Sequence, residues 1–151
     1  MGILIMRIDK FEGEFEFLSN FYNSPITWMG VEYPTVEHFF QAMKTFDEEE
    51  REMIAAAPTP GKAKRLGRSV QLREDWEEAK DTYMQVGLML KFAHPDLKKK
   101  LLATGEAELI EGNTWHDNTW GDCRCEKCSG RKGENRLGKL LMKIRKELGD
   151  A

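Results

Sequence analysis

No apolar run in this 151-residue chain approaches the roughly 18–20 residues that a helix needs to cross a bilayer. No membrane association is expected. The opening Met1-Gly-Ile-Leu-Ile-Met6 is too short for the apolar core of a signal peptide, and Arg7, Asp9 and Lys10 follow it at once. Gly2 starts a myristoylation pattern, but Met6 stands where that pattern needs Ser or Thr. An excess of positive charge is also missing: 23 Lys and Arg against 26 Asp and Glu leave a formal charge of −3. Such a chain does not coat polyanions, although a local basic groove stays open to it. There is no repeat, low-complexity tract or linker. Walker, GxGxxG, HExxH and GxSxG patterns are all absent, so neither a Ser nor a Cys nucleophile has local support. Cysteine is scarce, with three residues confined to one short stretch; with eight Met this fits a reducing cytoplasm.

What is present suits a soluble globular protein: 40% hydrophobic and 32% charged residues, in a length that makes one domain over 1–151 with a real core. Ile3 to Arg7 and Glu14 to Leu18 read as short strands, and Ser24 to Tyr33 as a hairpin turning at Met29-Gly30. Thr35 is the N-cap of a first helix running toward Phe46. Asp47 to Ala57 forms a second, ended by Pro58. Thr59-Pro60 opens a basic third helix through about Gly67, carrying Lys62, Lys64 and Arg65, with Arg68 just beyond; its usual meaning is a solvated face. Asp75 caps the longest helix, Trp76 to Ala93, and Asp96 to Thr104 follows as another. Ala107 to Ile110 is a brief strand. Asn113 to Glu134 is long and irregular, with two Trp, three Cys and three Gly, and such loops are commonly functional. Asn135 to Leu148 is the last helix. The fold class is α+β, predominantly helical, with a small N-terminal antiparallel sheet or hairpin against a helical bundle.

The first helix carries the sharpest chemical signal. At about 3.6 residues per turn, Glu37, Gln41 and Lys44 share one face. Val36, Phe40 and Met43 flank them on one side; Phe39, Ala42 and Phe46 flank them on the other. A carboxylate, an amide and an amine between apolar stripes suggest a pocket wall, where desolvation shifts the pKa values of Glu37 and Lys44. The same pattern fits an internal Glu–Lys pair bridging a core, or a third face that is simply wet.

Four further groupings lie outside that helix. Ser19 and Asn20 sit between aromatics, suited to gripping a ribose or ending a strand in an Asx-turn. Asn113 to Gly121 brings His116, Asp117 and two indoles into one loop: Asp117 can act as a base or hold a ribose, or cap a turn while the indoles pin the loop. Gly133 to Gly138 opens the last helix, where backbone amides and Arg136 offer an anion site. Cys123-x-Cys125-x2-Cys128 would complete a structural zinc site with His116 or His94 as fourth ligand; reduced thiols packed in a loop are the other reading.

Five stretches, in order and over nearly the whole chain, resemble the NADAR family and its YbiA-like fold. They are Phe17-Leu-Ser-Asn-Phe21; Tyr33-Pro-Thr-Val-Glu37-His-Phe-Phe-Gln41-Ala-Met-Lys44; Leu109-Ile-Glu-Gly-Asn113; Asp117-Asn-Thr-Trp120-Gly121; and Gly133-Glu-Asn135-Arg-Leu-Gly138 running on to Arg145. The resemblance implies an N-glycosidase acting on a bond between ribose and an amine, with no cofactor required. One implied activity removes ADP-ribose from guanine in nucleic acid, which links the protein to an ADP-ribosylating toxin. The other hydrolyses phosphoribosylamino-pyrimidine intermediates of riboflavin synthesis. A module that binds ADP-ribose or NAD without cleaving it is the non-catalytic alternative. The catalytic residues implied are Glu37, Lys44 and Asp117. The binding residues implied are Ser19, Asn20, His38, Gln41, Arg73, Trp76, Trp120, Gly121 and Asn135. The cysteine-bearing stretch before Gly133 departs from the family's shorter glycine-rich link.

Overall fold

The computed structural model describes residues 7–150. They fall into two compact units, one made of residues up to 19 with those from 95 onward, the other of residues 20–94. The strand expected from Ile3 lies outside the described residues except at its end, where Arg7–Ile8 forms β1.

In the unit 20–94 the chain opens with a hairpin, β2 (Ile26–Trp28) against β3 (Val31–Tyr33), with Trp28 opposite Val31. Met29 and Gly30 both have positive φ, 51° and 81°, as a two-residue turn of this hand requires. Four helices follow: α1 (Val36–Ala42), α2 (Glu48–Ala55), α3 (Pro60–Leu66) and α4 (Trp76–Phe92). The first three start on side-chain caps. Thr35, Asp47 and Thr59 accept from the amides of His38, Glu50 and Lys62, each worth about 1 kcal/mol. Asp75 stands at the N-cap of α4 without capping it, because its carboxylate holds Arg73 instead. α1 packs on α2, α3 and α4 together, and every one of its residues is buried. The aromatic centre of this unit is Phe39, which meets Trp28, Tyr33 and Tyr83 edge-on at centroid distances of 5.7–6.4 Å.

In the other unit β1 pairs in parallel with β4 (Glu108–Leu109), and β5 (Gly112–Asn113) with β6 (Asp122–Cys123). α5 (Pro95–Ala103) and α6 (Arg136–Asp150) pack together over Leu97, Leu101, Leu137, Leu141 and Ile144, all buried. Glu14 to Leu18 is not a strand. Residues Gly13–Leu18 form a 3₁₀ helix, which buries the adjacent Phe17 and Leu18 together, something a period-two strand cannot do on one face. The architecture is α+β and mostly helical. No helix among the described residues is long and apolar enough to cross a membrane.

Candidate active site

α1 places two of the three expected groups on one face and delivers the third by a different route. The helix ends at Ala42, not near Phe46. Lys44 and Thr45 turn off it, their amides reaching the carbonyls of Gln41 and Ala42. The end is fixed by Arg73: its backbone amide donates to the Lys44 carbonyl at 2.8 Å and its guanidinium reaches the Met43 carbonyl. Phe46, expected beside the slot, is exposed and lies under the Arg73 guanidinium at 4.1 Å.

Glu37 is buried, and Gln41 Nε2 donates to its Oε1 at 2.8 Å. Lys44 is half-buried. Burial draws its amine below the ordinary lysine range; the Glu37 carboxylate pulls the other way, and the cations of Lys64 and Arg68 add to the depression. The basic end of α3 is therefore part of this neighbourhood, although its sequence reads as a solvated face. Gly67, just past α3, lets it approach: a Cβ there would fall on the Gln41 amide oxygen. That oxygen and Asn20 Oδ1 are both buried without a protein partner. Asn20 is tied to the same helix, its carbonyl accepting from the Glu37 amide at 3.1 Å and its Nδ2 donating to Met84 Sδ.

Other expected residues are engaged within the protein. Both ring nitrogens of His38 are occupied, Nδ1 at 2.8 Å from Thr35 Oγ1 and Nε2 at 3.0 Å from the Ala57 carbonyl, and burial lowers its pKa. It braces α1 against the end of α2. Arg73 forms a two-pronged pair with Asp75 at 2.7 and 3.0 Å and stacks on Phe46 and Tyr83, so its guanidinium has little left to offer a phosphate. Trp76, expected among the binding residues, is buried against Phe40, centroids 5.1 Å apart.

Lys91 is a buried cation that the sequence reading does not single out. It is fully buried on α4, its ammonium over the rings of Tyr22 and Phe92, and burial brings its pKa down to about 7. Apolar spacing alone reads the inner arc of α4 as Tyr83, Val86, Leu90 and Ala93, with Trp76, Ala79, Leu88 and Met89 around them; of these the structure buries Trp76 and Leu88. The buried stripe is instead Met84, Gly87, Leu88, Lys91 and Phe92; the one available signal was that Lys91 follows Met84, Gly87 and Leu88 at helical spacing.

The remaining expected residues lie in the other unit. Ser19 ends the 3₁₀ helix, its amide on the Glu16 carbonyl. Asp117 Oδ1 accepts from the amides of Thr119 and Trp120 at 3.1 and 2.9 Å, the turn-capping role weighed above; Trp120 is half-buried. Gly121 packs directly on residue 111, where a Cβ would strike the Glu111 backbone and carboxylate. Asn135, at φ 50°, uses its whole amide locally, accepting from Glu111 N at 3.0 Å and donating to the Leu109 carbonyl at 2.9 Å. The anion site expected at the start of α6 is already filled by the chain. The amides of residues 133–137 donate in turn to the Asp122 carboxylate and to the carbonyls of Asn118, Gly121, Thr119 and Trp120. The three cysteines are free thiols, and His116 joins them.

Comparison with known proteins places the chain in a family. The NADAR domain model matches residues 9–149. N-glycosidase YbiA of Escherichia coli is 45% identical over 134 residues, 86% of this chain and 79% of that one. A riboflavin biosynthesis protein of Vibrio vulnificus is 37% identical over 135 residues, 87% of this chain but 35% of that longer protein. The solved NMR structure of E. coli YbiA superposes with a TM-score of 0.81 at 39% identity, covering 98% of this chain and 88% of that one. With a family match over nearly its whole length, the chain belongs to the NADAR domain family.

Proposed function

We propose that the protein hydrolyses the bond between ribose and an exocyclic amine, and that its substrate is guanine carrying ADP-ribose. The coarser statement, an enzyme of the N-glycoside hydrolase class, follows from the relatives named N-glycosidases. The observation that carries the finer reading is the buried Glu37 carboxylate, oriented by Gln41, beside an amine of lowered pKa at Lys44.

An N-riboside on an exocyclic amine opens to an imine at its anomeric carbon. Lys44 Nζ, as the free amine, adds there, and the base departs as its own amine with a proton passed through Glu37. Water then adds to the lysine imine, regenerates Lys44 and releases the sugar, so the net reaction consumes one water. Direct attack of water on an oxocarbenium-like centre, with Glu37 as base, is the competing route. Two buried acceptors without protein partners, Gln41 Oε1 and Asn20 Oδ1, suit the hydroxyl donors of a ribose. With Arg73 committed to Asp75, the cations Lys64 and Arg68 are the better phosphate partners.

The second reading, hydrolysis of phosphoribosylamino-pyrimidines, is favoured by the likeness to the Vibrio riboflavin biosynthesis protein. Incubating the protein side by side with ADP-ribosylated guanine DNA and with a phosphoribosylamino-pyrimidine decides between them. Release of free ADP-ribose at the higher kcat/KM supports the proposal. Faster turnover of the pyrimidine overturns it in favour of the second reading. Saturable binding of ADP-ribose with no product in either arm reduces the protein to a binding module.

A further inference from the structure

We propose that His116, Cys123, Cys125 and Cys128 form a structural zinc site that holds the irregular segment between β5 and α6 in shape. Four ligand atoms, the His116 Nδ1 and three Sγ, lie within 4.8 Å of one another. His116 Nδ1 is 3.3, 3.4 and 4.0 Å from the sulfurs of Cys125, Cys128 and Cys123. With Zn–S near 2.3 Å and Zn–N near 2.0–2.1 Å, a tetrahedron has N···S edges of about 3.6 Å and S···S edges of about 3.8 Å. The three N···S distances are already close to the N···S edge, and the sulfurs stay within 4.8 Å of one another. His116, not His94, is the imidazole that joins it.

The backbone is bent to bring the imidazole there. His116 has φ 67°, a left-handed conformation that costs a non-glycine residue free energy. The sulfurs carry the donors that commonly surround zinc thiolates: Cys125 N donates to Cys123 Sγ at 3.5 Å and Asn118 Nδ2 to Cys128 Sγ at 3.4 Å. Asn118 also accepts from Cys123 N at 2.9 Å and, through its carbonyl, from Glu134 N at 2.7 Å. It therefore couples the metal cluster to the start of α6. Three thiolates around a divalent ion leave a net charge of −1, and the same segment carries Lys127, Arg131 and Lys132. Thiolate-rich donors select zinc over magnesium or calcium, and four protein ligands leave no open position for chemistry.

The test uses the full-length protein. Isolated without chelator, it should hold about one zinc per chain by elemental analysis. The reduced, metal-stripped protein titrated with Co(II) should develop sulfur-to-metal charge transfer and the visible bands of tetrahedral cobalt, saturating at one equivalent. Cys128→Ser and His116→Ala should each weaken binding, Asn118→Ala should weaken it about 10–100-fold, and His94→Ala should leave it unchanged. Less than about a tenth of an equivalent of zinc together with no cobalt bands in the wild-type protein overturns the site, whatever the variants do. Unchanged cobalt spectra and affinity in His116→Ala overturn this ligand set.

Discussion

Gln41 donates to Glu37 across one turn of α1 at 2.8 Å while its own carbonyl oxygen is buried without a protein partner. An acceptor left in that state costs about 1–3 kcal/mol, so the pair trades stability for the orientation of a carboxylate. Gln41→Met removes the orphaned acceptor and the donor together. It should hold or raise the melting temperature while lowering kcat/KM at least about tenfold, whereas Glu37→Gln should cost about 10²–10⁴-fold with little change in melting. Thermal melts beside steady-state kinetics on an N-riboside decide; a Glu37→Gln enzyme within threefold of wild type ends the assignment.

Gly67 tests the same pair from across the helix packing. Its φ of −61° suits any residue, so Gly67→Ala acts through contact alone, by displacing the Gln41 amide. Activity should fall markedly more than stability. Gly61→Ala, whose Cβ would meet only Thr59 Oγ1 at 3.9 Å, is the matched control and should change neither. Equal kinetics in the two variants would show that the amide's position is immaterial.

The amine route makes a claim about pH. Lys44 must react unprotonated, so kcat/KM should rise with pH through its folded pKa, which burial, Lys64 and Arg68 hold below the usual lysine range. Arg68→Gln removes a cation that depresses this pKa, so the rising limb should move to higher pH and KM should increase. Borohydride added during turnover should trap the sugar on Lys44, and Lys44→Met should abolish both trapping and activity. An unmoved limb with no adduct favours direct water attack.

Lys91 predicts a stability profile independent of catalysis. Its folded pKa near 7 lies below the lysine value of 10.5. Between these the unfolded chain binds a proton that the native chain does not, so unfolding free energy rises with pH, by at most about 1.4 kcal/mol per unit. Denaturant melts from pH 6 to 10 should show that rise in the wild type. Lys91→Met should flatten it and should not be less stable at pH 6. A slope that persists in the variant would place the titration elsewhere.

Local signals carried much of this fold in the sequence. Thr35, Asp47 and Thr59 start helices by caps that lie three residues from their partners, and Met29-Gly30 announces its turn by residue type alone. The failures are those set by distant residues. α1 ends early because Arg73, far along the chain, takes the carbonyls of Met43 and Lys44. Asp75 looks like a helix cap and is instead the counter-ion of Arg73. Lys91 goes unmarked on its helix because only packing shows which arc is inside. Glu37, Gln41 and Lys44 were legible as neighbours, whereas the contribution of α3 to their field required the structure.

The tight crossing at Gly121 has an evolutionary corollary. Surface loops generally accept substitution and insertion freely, but at this position a single methyl group would collide with residue 111, and one at Gly138 would collide with the Leu109 carbonyl and Asn135. Saturation mutagenesis of residues 95–138 should therefore recover fewer tolerated variants at Gly121, in the irregular segment, than along the exposed face of α5, inverting the customary contrast between coil and helix. The latitude of this region is governed by room for one carbon atom.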